Sequence, residues 1–319
     1  MKSLVPLLLL AVCALPPSAA RGEDSPIVIG VVAKSQSNPV FQAARVGARD
    51  AARELSAKLH RPIRIDWRTP NDEDAQKQAE AIEQLVLAGV DGIAVSCSDA
   101  NKLTDAIDAA VDHGVPVATF DSDAPASRRF VTYGIDDEKS GEVVMDGLAQ
   151  LMNGKGVVAI LSGNQNAPNL QKRIEGVRTA ARKYPGIVIR GVFYSKETPQ
   201  DSAARVEQVM EANPDVGGWA MVAAIALFTE KAIPWQGGAV KCVAIDALPQ
   251  ELSYLRSGQV QLLFAQPCYG WGHRSVELLV DKIVFGKNPP AVKEVSPLVR
   301  VDAGNVDDFA KNWAVWLHP

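Results

Sequence analysis

Asp121 and Asp123 flank Ser122 in the stretch PVATFDSDAP, directly after a run of Val, Ala and Phe that reads as a buried strand. A carboxylate at the end of an apolar strand is costly unless an Arg, a helix N-terminus or a ligand's hydroxyl groups satisfy it. Asp246 stands in the same setting after VKCVAI. Either aspartate could instead serve only as the N-cap of the next helix. Asn169 and Arg173 lie four residues apart on one face of an expected helix, so both can point the same way. Arg173 could fork two hydroxyls or hold a site Asp, or it could share a solvated face with Lys172 and Arg178. Planar bidentate groups such as these bracket neighbouring hydroxyls, and an aromatic ring completes the grip against a C–H face. Phe41, Trp219, Trp235 and Trp271 are the candidates for that ring; Phe41 and Trp271 follow strand-end loops, which favours them, whereas Trp219 within a strand is more simply read as core.

Other chemistries find less support. No nucleophile–base pair can be identified, so no catalytic residue is assigned and an enzyme is not expected. His60, His113, His273 and His318 show no metal-ligand spacing among themselves or with Cys97, Cys242 and Cys268, and no metal site is expected. Neither GxxxxGK[ST] nor GxGxxG follows any expected strand, NGKGVV precedes one, and GxSxG is absent, so no cofactor is assigned.

The elements that must position these residues alternate. Short Val/Ile-rich runs at 27–33, 63–67, 92–95 and 115–120 read as strands, separated by helices at 40–59, 73–88 and 101–113. Gly89 and Gly114 sit where helices end. A second series follows, with strands at 131–135, 157–161, 187–193, 219–222 and 240–245 and helices at 138–152, 169–184, 202–211 and 224–232. A helix at 248–256, a strand at 259–265, a helix at 271–285 and leftover elements complete the chain. The expectation is an α/β protein of two doubly wound parallel-sheet units. Ligands of such sheets bind beyond the carboxyl ends of the strands. The polar residues at those ends are Lys34, Ser35, Gln36, Asn38, Ser96, Cys97, Ser98, Asp99, Asp121, Ser122, Asp123, 163–166, Asp246 and Gln266. That set suits a polyhydroxylated ligand.

A length of 319 residues, 47% hydrophobic and 22% charged, allows two domains and excludes a disordered or repeat chain. Lys2, an apolar run at 4–15 and Ser18-Ala19-Ala20 form a secretory signal at 1–20, with export to the periplasm expected. Cys13 raises the alternative of a lipoprotein tether, but Val12 precedes it and the apolar run continues past it. Without Lys2, 32 Lys+Arg stand against 37 Asp+Glu, a net charge of −5 that attracts no nucleic acid. Cys97, Cys242 and Cys268, odd in number and far apart, argue against a disulfide framework.

The segments IGVVAKSQSNPVFQAARVGARDAA, GVDGIAVSCSD, GVPVATFDSD, NAPNLQKRIEGV and VAIDALPQELSYLRSGQVQLLFAQ occur in the order and spacing of the bacterial periplasmic binding proteins for ribose, galactose and related sugars, and the chain resembles that family over nearly all of its mature length. The resemblance implies the type I fold, two lobes joined by a three-strand hinge with crossings near Ile135, Gln266 and Ser296. The lobes would be 26–135 plus 267–296 and 136–266 plus 297–319. It implies ligand contacts at Asn38, Phe41, Asp121, Arg173, Asp246 and Gln266, to which Lys34, Ser96, Ser122, Asp123, Asn169 and Trp271 are added as candidates. Val40 stands where ribose-binding members have a second aromatic, Ser96 where they have Asn, and Val222-Ala223-Ala224 where they have an Asn-Asp pair. Lys34 and the DSD at 121–123 resemble instead the autoinducer-2 and rhamnose branch, from which the chain departs at Val222-Ala223-Ala224 and at Asn169-Leu170.

The function expected is capture of a monosaccharide or similar small polyol by hinge closure, with delivery to an inner-membrane ABC permease and its ATPase. A ligand-sensing module for a chemoreceptor or sensor kinase and an autoinducer-2/rhamnose-type binding protein are the alternatives. The effector domain of a sugar-responsive repressor would need a helix-turn-helix and a basic surface, where this chain has a signal segment and negative charge. A monomer is expected.

Overall fold

The computed structural model describes residues 25–317, so the secretory-signal expectation at 1–20 lies outside the described residues. Val- and Ile-rich segments form strands that are buried on both faces at the centre of each sheet and part-exposed at its edges. Five of them, β1 (Ile27–Val32), β2 (Ile63–Trp67), β3 (Gly92–Val95), β4 (Val117–Phe120) and β5 (Val131–Gly134), alternate with α1 (Pro39–Leu59), α2 (Ala75–Leu87) and α3 (Ala100–Asp112). The second series runs α4 (Asp137–Leu151), β6 (Lys155–Ser162), α5 (Pro168–Ala181), β7 (Gly186–Tyr194), α6 (Pro199–Ala212) and β8 (Val216–Met221). It continues through β9 (Lys241–Ile245), α7 (Pro249–Arg256) and β10 (Leu262–Ala265). Then α8 (Cys268–Phe285), β11 (Lys293–Val295), β12 (Val299–Val301) and α9 (Val306–Trp316) close the chain.

The strands form two six-stranded sheets, ordered β11-β5-β4-β3-β1-β2 and β12-β10-β9-β8-β6-β7. All pairings are parallel except β10 with β12. Two lobes thus repeat one topology, and the chain passes between them three times: after β5, after β10 and between β11 and β12.

One helix pair braces each lobe through glycine. A Cβ at Gly47 would overlap the carbonyl oxygen of Tyr269, and one at Gly272 that of Ala44, so α1 and α8 approach backbone to backbone. In the second lobe Gly141 lies against the carbonyl of Arg173 and Gly176 against that of Glu138, which seats α5 directly on α4. This second contact fixes the height of Arg173 above the N-terminus of α4.

The expected helix at 224–232 is a single 3-10 turn (Ile225–Phe228). Lys231 takes a left-handed φ of 58° and Pro234 follows, so the segment cannot continue as a helix. The short β11, β12 and α9 are the leftover elements. Trp219 and Trp235 stack with ring centroids 6.3 Å apart inside the second lobe and are core, as is each of the three buried, unbridged cysteines Cys97, Cys242 and Cys268. No helix among the described residues is long and apolar enough to cross a membrane.

Candidate functional site

The topological repeat puts Asp121 after β4 and Asp246 after β9, equivalent strands of the two sheets. Both adopt positive φ, 56° and 93°, and each backbone N–H continues the ladder, to Tyr133 O at 3.1 Å and Phe264 O at 2.9 Å. Neither caps a helix. The left-handed turn swings each carboxylate off its sheet and into the space between the lobes, and Asp tolerates that conformation better than most residues.

Lys34, Asn38, Phe41, Asp121 and Trp271 from the first lobe meet Asn169, Arg173 and Asp246 from the second, with Gln266 at a crossing, around one cavity. It holds about 40 Å³. That is room for a few waters and too little for a pyranose ring, so a sugar enters only if the lobes part.

Two hydrogen-bond networks line it, one around Asp121 and one around Arg173. Ser96 Oγ donates to Asp121 Oδ2 at 2.7 Å, and Lys34 Nζ lies 3.5 Å from the same oxygen. Asn169 reaches across from α5: its Nδ2 donates to Asp121 Oδ1 at 3.2 Å, while its Oδ1 accepts from Lys34 Nζ at 3.4 Å. Arg173 donates from Nε to Asp137 at 2.9 Å, from one terminal nitrogen to the Val222 carbonyl at 3.2 Å and from the other to Gln266 Oε1 at 2.7 Å. Gln266 Nε2 donates onward to Asp246 Oδ1 at 2.7 Å. With three of its five N–H groups so used, Arg173 keeps two for a ligand.

Burial and charge oppose each other throughout. Burial would lower the Lys34 ammonium, but the carboxylates of Asp121, Glu73 and Glu197 overcome it and leave the group above its ordinary value. Burial pushes Asp246 up to about 6 despite Arg173 and the Gln266 hydrogen bond. Asp137 is raised by burial too, with Arg173 opposing.

The aromatic side is Trp271, whose ring lies 6.0 Å from Phe41 and 6.5 Å from Phe120, centroid to centroid. Its Nε1 is buried and makes no hydrogen bond among the described residues. Asn38 caps α1, accepting from the Val40 N–H at 3.2 Å, and so sits at the rim.

Three candidates do not line the cavity. Ser96 stands behind Asp121 and orients it. Asp123 is turned away: Thr119 Oγ1 donates to it at 2.6 Å, and Arg129 grips it bidentately through Nε and, at 2.6 Å, a terminal nitrogen. Ser122 is fully buried, its backbone carbonyl accepting from Cys97 N–H at 2.9 Å. The sequence reading missed Asp137, which holds Arg173, and Glu197 and Ile225, which line the cavity. Val40, Leu170 and Ala223, noted as departures at family ligand positions, line it too. Asp137 could have been noticed as an acid in the first turn of a helix beside a glycine-tight partner; nothing local marks Glu197 or Ile225.

Residues 29–288 match the family model described as a periplasmic binding protein domain. The ribose import binding protein RbsB of Bacillus subtilis is 25% identical over 288 residues, covering 88% of this chain and 91% of that one. The D-apiose import binding protein of Actinobacillus succinogenes is 22% identical over 290 residues, covering 89% and 91%. Among solved structures, an ABC transporter solute-binding protein from Burkholderia graminis in complex with D-arabinose superposes with a TM-score of 0.80 at 26% identity, over 89% of this chain and 98% of that one.

Proposed function

The chain belongs to the periplasmic binding protein domain family, and on that premise we propose that it is an exported solute-binding protein that captures a monosaccharide or similar small polyol between its lobes and delivers it to an inner-membrane ABC importer. The observation that carries this reading is the convergence of Asp121, Asn169, Arg173, Asp246 and Gln266, from both lobes and a crossing, on one cavity walled by Trp271. These groups are the bidentate acceptors and donors that bracket vicinal hydroxyls, and the indole supplies the surface for a C–H face. The relatives named for ribose and apiose import, and the neighbour holding D-arabinose, support a pentose-sized ligand.

In this reading the first lobe comprises 26–135 plus 267–296 and the second 136–266 plus 297–319, and the protein works in the periplasm as a monomer. Lys34, Asn38 and Phe41 complete the contacts, Ser96 and Asp137 hold Asp121 and Arg173 in place, and Leu170, Ala223 and Ile225 give the second lobe an apolar wall. Closure about the three crossings lets hydrogen bonds from both lobes replace the water stripped from the hydroxyls. No step makes or breaks a covalent bond. Thermal-shift and calorimetric screens across pentoses, hexoses, deoxysugars and polyols test the assignment: a hit with one-to-one stoichiometry is expected, and silence across all four classes contradicts it.

A further inference from the structure

Glu73 and Glu197 come from opposite sides of the cleft. Glu73 lies between β2 and α2 in the first lobe, and Glu197 follows β7 in the second. The two carboxyl groups meet on Asn164, and Glu73 raises that of Glu197 through its charge and a side-chain hydrogen bond. Asn164 clasps both: its Nδ2 donates to Glu73 Oε1 at 3.0 Å, and its backbone N–H donates to Glu197 Oε1 at 3.1 Å. The pair borders a cavity of about 760 Å³ at the edge of the cleft, and Glu197 also lines the inner cavity. Two carboxylates this close cannot both stay ionised without strong repulsion, whereas one proton between them turns the repulsion into a hydrogen bond.

We propose that this acid pair couples closure of the cleft to the uptake of one proton, so that the protein holds its ligand more tightly as the solution becomes more acidic. The inference rests on the reading above that the lobes close on a ligand. When the lobes part, Glu73 and Glu197 separate and each carboxyl is solvated alone. On closure, burial first and the Glu73 charge second push Glu197 up to about 8 from an ordinary 4.5. Lys34, at the end of β1, and the Asn164 N–H favour the ionised form and are outweighed. The remaining charged groups around the pair are Asp72 beside Glu73, Lys196 beside Glu197, and Asp201 and Arg205 on α6.

The sign follows from proton counts. The closed state binds more protons than the open one between the ordinary glutamate range and about pH 8, so closure strengthens as pH falls through that window and is flat above it. From pH 8.5 to 6.5 the dissociation constant tightens, by at most about tenfold per pH unit for one proton.

Double electron–electron resonance on the mature chain, with nitroxides at Asn101→Cys in the first lobe and Glu230→Cys in the second, reads closure with no sugar added. The expected result is a shift towards the short inter-lobe distance from pH 8.5 to 6.5, and a short distance at both pH values in Glu197→Gln, whose neutral amide can donate to Glu73. Identical wild-type distributions at the two pH values, or an unchanged pH response in Glu197→Gln and Glu73→Gln alike, would overturn the proposal. D-ribose, D-arabinose and xylitol titrated at both pH values separate the two readings. If none binds while the distance still shortens in acid, the proton coupling stands and the sugar assignment falls. If one binds with an affinity independent of pH, the coupling falls and the sugar assignment stands.

Discussion

Asn169 Nδ2, on α5 of the second lobe, donates to Asp121 Oδ1, on the first lobe, at 3.2 Å, and the same amide's oxygen accepts from Lys34 Nζ at 3.4 Å. One side chain therefore ties the lobes together through two bonds to charged groups, each worth about 1.5–3 kcal/mol net, and Asn164 adds a third inter-lobe bond to Glu73. A ligand that replaces the Asn169 tie with several charge-assisted bonds of its own shifts the population to the closed, occupied form.

The two aspartates of the DSD stretch differ in their effect on affinity. Asp121→Asn keeps an acceptor for Ser96 and Asn169 but removes the charge offered to hydroxyls, so affinity should fall at least about tenfold, and stability should fall as well because the buried Lys34 ammonium loses its nearest counter-charge. Asp123→Asn breaks the pair with Arg129 and should lower stability by about 1–3 kcal/mol with affinity unchanged. Calorimetric titration beside denaturant melts checks both, and equal affinity losses in the two variants would refute the assignment of roles.

Arg173 is placed by backbone contact, which makes a distant glycine testable. Gly141→Ala puts a methyl group against the Arg173 carbonyl and must push α5 off α4. Overpacking of this kind costs about 1–3 kcal/mol, and the displaced guanidinium should weaken ligand binding as well. Gly286→Ala, at a helix end with φ of 63° and nothing near its Cβ, is the control; it should cost stability through its backbone conformation alone and leave affinity intact.

Asp246 should give the protein a pH-dependent stability. Its carboxyl is raised from 3.8 to about 6, chiefly by burial. Through this group the folded state binds more protons than the unfolded one between about pH 4 and 6, so its share of the stability declines as pH rises through that window and is level above it. That share amounts to about 3 kcal/mol. Asp246→Asn should reduce the slope between about pH 4 and 6, leaving the part that Glu197, Asp137 and Glu251 contribute, and raise stability at pH 7.5, while weakening ligand binding. A slope unchanged in urea melts of the variant would show that another group is responsible.

What was legible in the sequence follows a physical divide. Buried parallel strands demand unbroken Val/Ile runs, so β1 to β10 announce themselves, and Asp121, Asp246 and Gln266 stand out as polar residues abutting those runs. The helix expected at 224–232 failed because Ala and Leu favour helix locally while Lys231 and Pro234 end it. Asp123 was open between a ligand contact and a turn, and only Arg129, six residues on and folded back, turns it from the cavity. Glu197 carries no local mark, since its role comes from a partner in the other lobe, and Asp137 is marked only as an acid in a helix's first turn, its role coming from a glycine-tight helix crossing.

The central claim is that one cavity, polar on both lobes and aromatic on one wall, binds a small polyol through Asp121. Isothermal titration of the mature chain against D-ribose, D-arabinose, D-allose, D-apiose, xylitol and myo-inositol, with Asp121→Asn alongside, tests it most directly. The account predicts one-to-one binding of at least one of these with a dissociation constant below about 10 µM and loss of that binding in the variant. Binding that survives Asp121→Asn unchanged, or no heat with any of them, would contradict it.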